Sequence, residues 1–148
     1  MKKQKQIKFI TVSVACIVLT LLISFAVFYI VNITPHYKGG YTIKDYDFEI
    51  IEFGSDNKYE AIENYWDAYL IAKKEISERF PDGIFNKNRF NFSNLSENRC
   101  DVYYDTQSDT WLVCAYPQSL SKYIVTFGGA YYCIVSSNGE VLACWGTG

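Results

Sequence analysis

Three rhythms of apolar and polar positions succeed one another along this chain. The first is no rhythm at all. From Phe9 to Ile33, 25 residues carry no charge, and Ile, Val, Leu, Phe and Ala dominate. About 20 such residues cross the hydrocarbon core of a bilayer, so the run predicts a transmembrane helix. The second rhythm is helical. Tyr59, Ile62, Trp66, Tyr69, Leu70, Ile76 and Phe80 recur three and four residues apart, the period of a buried helix face. Asn57 with Glu60 three residues later has the form of a capping box, and Pro81 with Gly83 stops the pattern. One long helix is therefore expected over residues 58–80, with Glu60, Glu63, Asp67, Lys73, Lys74, Glu75 and Glu78 on its wet side.

The third rhythm is that of strands. Segments 99–105, 110–116, 130–136 and 140–145 are rich in Val, Tyr, Trp and Cys, and a further strand is expected within 123–127. Asn138-Gly139 is the strongest hairpin signal a short stretch can carry. Counting outward from it pairs Ser137 with Glu140 and places Cys133 opposite Cys144. A turn centred near Gln107 likewise brings Cys100 opposite Cys114 or its neighbour. Gly128-Gly129 is expected to bend or bulge a strand. Residues 82–98, polar and Asn-rich, read as a surface loop. The fold class that follows is α+β: an N-terminal transmembrane helix, then one long helix packed on a curved antiparallel sheet. The chain divides into a tail at 1–8, the anchor at 9–33, a linker with a candidate edge strand (46–53) at 34–56, and the helix-plus-sheet domain at 57–148.

Charge gives the chain a direction. Lys2, Lys3, Lys5 and Lys8 precede the apolar run, which places the N-terminus in the cytoplasm and the rest of the chain outside it. No Ala-x-Ala pattern ends the run, so an uncleaved signal anchor is expected rather than a removable signal peptide. The exported part has 10 basic and 16 acidic side chains, a net charge of about −6. Such a domain does not attract phosphate backbones, and no nucleic-acid partner is expected. Four cysteines (Cys100, Cys114, Cys133, Cys144) lie where disulfides persist. Two cross-strand bridges would staple the sheet; four reduced, buried thiols are the other reading.

Little in the sequence suggests chemistry. Nucleophilic catalysis needs a base within reach, and the lone histidine, His36, follows the anchor directly. No Cys-x-x-Cys motif offers a zinc site. Asp105, Gln107 and Asp109 have the spacing of a calcium loop without its central Gly and closing Glu, and read as a turn. Asp45, Asp47 and Glu49 read as a solvated strand face. Asp101 would be a candidate base only if buried. No enzyme activity, cofactor, metal or small-molecule substrate is expected. Aromatic residues remain. A single helix covers one face of a sheet, so some tyrosines should face outward, and Tyr103, Tyr131 and Trp145 are the candidate interface.

Several elements then fall in a familiar order: the helix segment Ala68-Tyr69-Leu70-Ile71-Ala72-Lys73, Trp111 with Val113, Gly128-Gly129, and Asn138-Gly139-Glu140-Val141-Leu142. Over residues 57–148 this order resembles the NTF2-fold immunity proteins of bacterial polymorphic toxin systems. The resemblance implies an NTF2-like (or cystatin-like) fold and a membrane-anchored extracytoplasmic protein that neutralises a cognate toxin by direct contact. At the matching positions Trp111, Val113, Gly128, Gly129, Gly139 and Val141 it implies core and turn roles. PepSY-like and cystatin-like envelope domains share the closing strand-turn-strand pattern, and imply instead inhibition of a peptidase or sensing for a signalling partner.

Overall fold

The computed structural model describes residues 2–42, 55, 57–93, 95–121 and 128–147. They form two units, Met1–Asn32 and Ile33–Gly148. The first is helix α1, Lys2–Val31. Within it Ile10–Ile30, 21 residues, is long and apolar enough to cross a membrane; at 1.5 Å per residue it measures roughly 31 Å, about the thickness of the hydrocarbon core. The Thr20 hydroxyl returns its hydrogen bond to the Cys16 carbonyl at 2.9 Å, so the polar atom is satisfied inside the helix.

The second unit is α+β. After α1 come strand β1 (Pro35–Gly40), helix α2 (Tyr65–Arg79), a single 3₁₀ turn (Ile84–Asn86), and strands β2 (Phe90–Asn91), β3 (Ser96–Asp105), β4 (Thr110–Ser119), β5 (Tyr131–Ser136) and β6 (Val141–Gly146). The sheet runs β1-β3-β4-β5-β6, with β2 also on β3. Its last four strands are antiparallel neighbours, as expected. The expectation of an all-antiparallel, curved sheet is corrected in two respects. The sheet does not curl, and β1 lies parallel to β3. Residues 35–40, read as linker, are thus an edge strand. A Pro and two Gly are tolerated there because an edge leaves one row of backbone groups unpaired. β2 falls in what the pattern marks as loop. The expected strands at 46–53 and 123–127 lie outside the described residues.

Helix α2 begins seven residues later than Asn57 suggests. Its cap is Asn64, whose side-chain oxygen accepts from the backbone N–H of Trp66 (2.8 Å) and Asp67 (3.3 Å). Asp67 reaches back to the N–H of Glu63 at 3.2 Å. The cap-plus-three spacing is the one expected, moved two turns downstream. What displaces it is tertiary structure. Segment 57–62 lies along the β5–β6 hairpin, Tyr59 N–H donating to Gly139 O and Ile62 N–H to Ser137 O. Asn57 donates to Glu75 rather than capping. At the other end the Asn86 amide donates to the carbonyls of Ser77, Phe80 and Pro81, groups a helix C-terminus leaves without partners.

α2 buries Ala68, Tyr69, Ile71, Ala72, Glu75 and Ile76 against a sheet face built from Cys100, Val102, Trp111, Val113, Ala115, Cys133, Val135, Val141 and Cys144. Alanines at 68 and 72 let the helix approach closely, and the branched strand residues fill the gap between. Two helix expectations reverse here. Trp66 and Leu70 are exposed, at 44% and 48%, whereas Glu75, expected on the wet side, is 2% exposed.

Candidate functional site

The sheet has a second apolar face, on the side away from α2. Strand alternation sends Tyr103, Leu112, Cys114, Tyr116, Tyr132, Ile134 and Trp145 to it. Leu112, Cys114 and Ile134 are buried, and Tyr41, Tyr103, Tyr116, Tyr132 and Trp145 pack around them. Tyr132 and Trp145 are direct cross-strand partners, their rings stacked 5.1 Å apart at 16°. Tyr41 meets Tyr103 edge-on at 6.2 Å. Each of these five rings is partly exposed. The arrangement is a layer of aromatic rings on a dry floor.

Charged groups lie on this side of the sheet as well: Arg99, opposite Tyr116 and paired with Glu97 at 2.9 Å, and the buried Asp101. Asp101 is 5% exposed. Tyr116 donates its hydroxyl to one carboxylate oxygen at 2.7 Å, and the Lys38 ammonium lies 3.8 Å from the other. Lys38 reaches it from the β1 edge, where the register slips between Tyr37 and Gly39. Burial, and then the hydrogen bond to Asp101, push the Tyr116 phenol well above its usual range. Burial and the same carboxylate push the Cys114 thiol up to about 12. The carboxylate is thus held by a phenol and an ammonium, beside a thiol that stays protonated. Such a set can recognise a cationic or hydrogen-bonding group on a partner. Asp101 is buried as a candidate base would have to be, although both of its oxygens already have partners.

The structure splits the candidate interface. Tyr103 and Trp145 are on the second face. Tyr131 is not: it lies on the α2 side, its ring 5.1 Å from Phe80. Its neighbour Tyr132 takes the place assigned to it. Parity alone could have shown this, because the count that faces Cys133 with Cys144 also faces Tyr132 with Trp145. Of the positions carrying the resemblance, Trp111, Val113 and Val141 are core residues. Gly128 lies against the Pro117 ring, 2.7 Å from where a Cβ would stand. Gly139 is the turn glycine, with φ +84°.

The cysteines are free thiols. Cys133 and Cys144 are direct partners, as counted, although Ser136 rather than Ser137 faces Glu140. A one-residue slip between Ile134 and Val135 restores the count. Its hydrogen bond with Cys144, together with burial, holds Cys133 in the thiol form. The expected bridge between Cys100 and Cys114 is overturned by geometry. Cys100 faces Ala115 and belongs to the α2-side core, whereas Cys114 belongs to the opposite face. Thiols on opposite faces of one sheet cannot meet without turning a strand over. Mild oxidation of the folded protein is therefore expected to yield no peptide linking Cys100 to Cys114. Mass-spectrometric peptide mapping reads this directly, and such a peptide in quantity would show the β3–β4 register to be wrong.

The would-be calcium spacing is a turn, as expected. Asp105 accepts from Gln107 N–H and the Ser108 hydroxyl. Asp109 accepts from Tyr104 and Ser137, and these bonds hold its carboxyl below the usual range. Asp45, Asp47 and Glu49 lie outside the described residues. His36 stands beside Asp101 in register with its side chain exposed. A second polar cluster escaped the sequence pattern altogether. Glu75 accepts from Tyr59 at 2.6 Å and Asn57 at 2.8 Å, with Ser55 at 3.4 Å and Arg79 at 3.6 Å. The signal for it is the polar segment before α2, legible only once that segment is known to fold back. No protein family model matches the chain, and no characterised protein or solved structure matches it.

Proposed function

We propose that this protein is a membrane-anchored extracytoplasmic binding protein of the toxin-immunity type, which neutralises a cognate toxin by direct contact. α1 holds it in the membrane with Lys2, Lys3, Lys5 and Lys8 in the cytoplasm, and the α+β unit, an NTF2-like helix-on-sheet domain in this reading, is presented outside. The observation that carries the reading is the second sheet face. Partly exposed aromatic rings over a buried apolar floor, with the Lys38–Asp101 and Arg99–Glu97 ion pairs among them, are the composition of a protein-recognition surface. Tyr and Trp give such a surface large contact area at little cost in side-chain entropy.

The test is capture of secreted proteins from the source strain and its relatives by the full chain in detergent. A stoichiometric partner whose toxicity disappears on co-expression supports the reading. Capture of an envelope peptidase or a sensor kinase in its place overturns it in favour of the inhibitor or sensor alternative. With the partner in hand, Trp145→Ala and Tyr132→Ala are each expected to weaken binding about 30-fold, the loss of a central interface residue worth about 2 kcal/mol. Glu78→Ala, on the opposite side of the sheet, should leave binding unchanged.

A further inference from the structure

The side of α2 that faces away from the sheet changes character halfway along. Trp66, Leu70, Lys74 and Glu78 follow one another at four-residue spacing, so they form one stripe, and all four are exposed. The last two turns are charged, as the outside of a helix normally is. The first two are not. Trp66 is 44% and Leu70 48% exposed. Beside them lie Tyr65, 37% exposed, and Tyr37 of β1, 50% exposed, their rings stacked 5.8 Å apart. Trp66 in turn packs on Tyr69 at 5.5 Å. Three exposed aromatic rings and a leucine thus gather around the N-terminal end of α2, Tyr37 with Tyr65 on one side of the buried Tyr69 and Trp66 with Leu70 on the other.

That end is the one nearest the anchor along the chain. The Tyr69 hydroxyl donates to the Ile33 carbonyl at 2.7 Å, a buried bond that fixes the first turns of α2 to residue 33. Ile33 follows Ile30, the last residue of the candidate span, by three residues. Even fully extended, three residues cover no more than about 11 Å. The headgroup region on each side of the hydrocarbon core is roughly 5–8 Å deep. The covalent chain thus keeps Ile33, to which the first turns of α2 are tied, within about 11 Å of the end of the span, near enough for side chains beside it to reach the headgroup layer. Tyrosine and tryptophan are the residues favoured in that zone, where an apolar ring and a polar edge are both satisfied.

We propose that Tyr37, Tyr65, Trp66 and Leu70 form a membrane-seating surface that rests in the headgroup layer of the leaflet from which α1 emerges. The occupant is the lipid interface, and the inference rests on α1 being a membrane anchor. Seating is driven by the rings rather than by charge: Lys73 lies near the patch, but so do Glu63 and Asp67. The second sheet face lies across the sheet from α2, so this surface and the proposed partner surface do not compete.

The test reconstitutes the full chain into phosphatidylcholine vesicles containing lipids brominated at shallow or deep acyl positions. Tryptophan fluorescence is compared between the wild type and Trp66→Phe, a substitution at an exposed position that leaves Trp111 and Trp145 in place. Shallow bromines should quench the wild type at least twofold more than deep ones, and this extra quenching should vanish in Trp66→Phe. Acrylamide access to Trp66, read as the same difference, should fall at least twofold from detergent to vesicles. If the chain floats with the vesicles while wild type and Trp66→Phe are quenched alike, the seating is overturned and the anchor stands. If the chain does not float with the vesicles, the anchor itself is overturned, and the seating with it.

Discussion

Gly139→Ala is expected to lower the melting temperature of the domain by about 10 °C, through two effects that can be separated. The first is conformational. Gly139 has φ +84°, and an L-residue in the left-handed region costs about 1–2 kcal/mol. The second is collision. A Cβ at this position would stand 2.4 Å from the Glu60 carbonyl oxygen and 2.5 Å from that of Tyr59. Both are backbone atoms, so the strand-like segment before α2 must move. That movement loosens the Tyr59 N–H to Gly139 O bond at 3.0 Å and the Lys58–Glu140 bridge, each worth about 1 kcal/mol net. The sum is about 3 kcal/mol, and for a domain of this size each kcal/mol moves the midpoint by roughly 3–4 °C. Gly39 supplies the control. It has φ +94°, and no atom lies within 4 Å of where its Cβ would stand, so Gly39→Ala should carry the conformational cost alone and shift the midpoint about half as far. Equal shifts at the two glycines would show that the packing of residues 59–60 on the hairpin is not what Gly139 protects.

The same hairpin shows how far the pattern of residues reaches. Asn138-Gly139 is a local signal, and a turn fixes the register on both sides of it, so β5, β6 and the Cys133–Cys144 pairing are legible from the chain alone. α2 is legible as a helix because its period is long and its cap is local. Its first residue is not, because Asn57 and Asn64 offer the same chemistry and only the contacts of 57–62 with a hairpin some 80 residues away decide between them. β1 has neither branched residues nor alternation, and a parallel edge strand is recognised by its partner rather than by itself. The second sheet face was half legible: Tyr103 and Trp145 lie on the side away from α2, as expected, while Tyr131 and Tyr132, adjacent and identical, differ only in parity. Trp66 and Leu70 misled for the opposite reason. Apolar spacing marks a face, but it does not say what that face meets, and here the helix carries two apolar sides.

Glu75 carries the other large effect. Its carboxylate is 2% exposed and accepts from Tyr59, Asn57 and Ser55, with Arg79 one turn along the helix. Burial alone would raise its pKa. The hydrogen bonds from Tyr59 and Asn57, the Arg79 charge and the Ser55 hydroxyl outweigh burial, and the carboxyl is held below its ordinary value of 4.5. A group whose pKa is depressed by folding stabilises the fold above its unfolded pKa, and that contribution drains away as pH falls through the folded value. Part of the protein's stability should therefore disappear below about pH 4.5. Glu75→Gln keeps the volume and an acceptor for Tyr59 but not the charge. Hydrogen bonds to a charged group are worth about 1.5–3 kcal/mol, so the variant should be about 2–3 kcal/mol less stable at pH 7. Glu75→Ala, which also leaves a void and removes the carboxylate beside Arg79, should lose about 3–5 kcal/mol. Urea unfolding at pH 7 and pH 3.5 distinguishes the charge from the shape. The gap between wild type and Glu75→Gln should narrow at the lower pH, because the depressed carboxyl loses its advantage as pH falls below the unfolded value and on through the folded one. A gap of the same size at pH 3.5 as at pH 7 would mean that Glu75 ties the segment before α2 to the helix by fit alone, and that its ionisation contributes nothing to the fold.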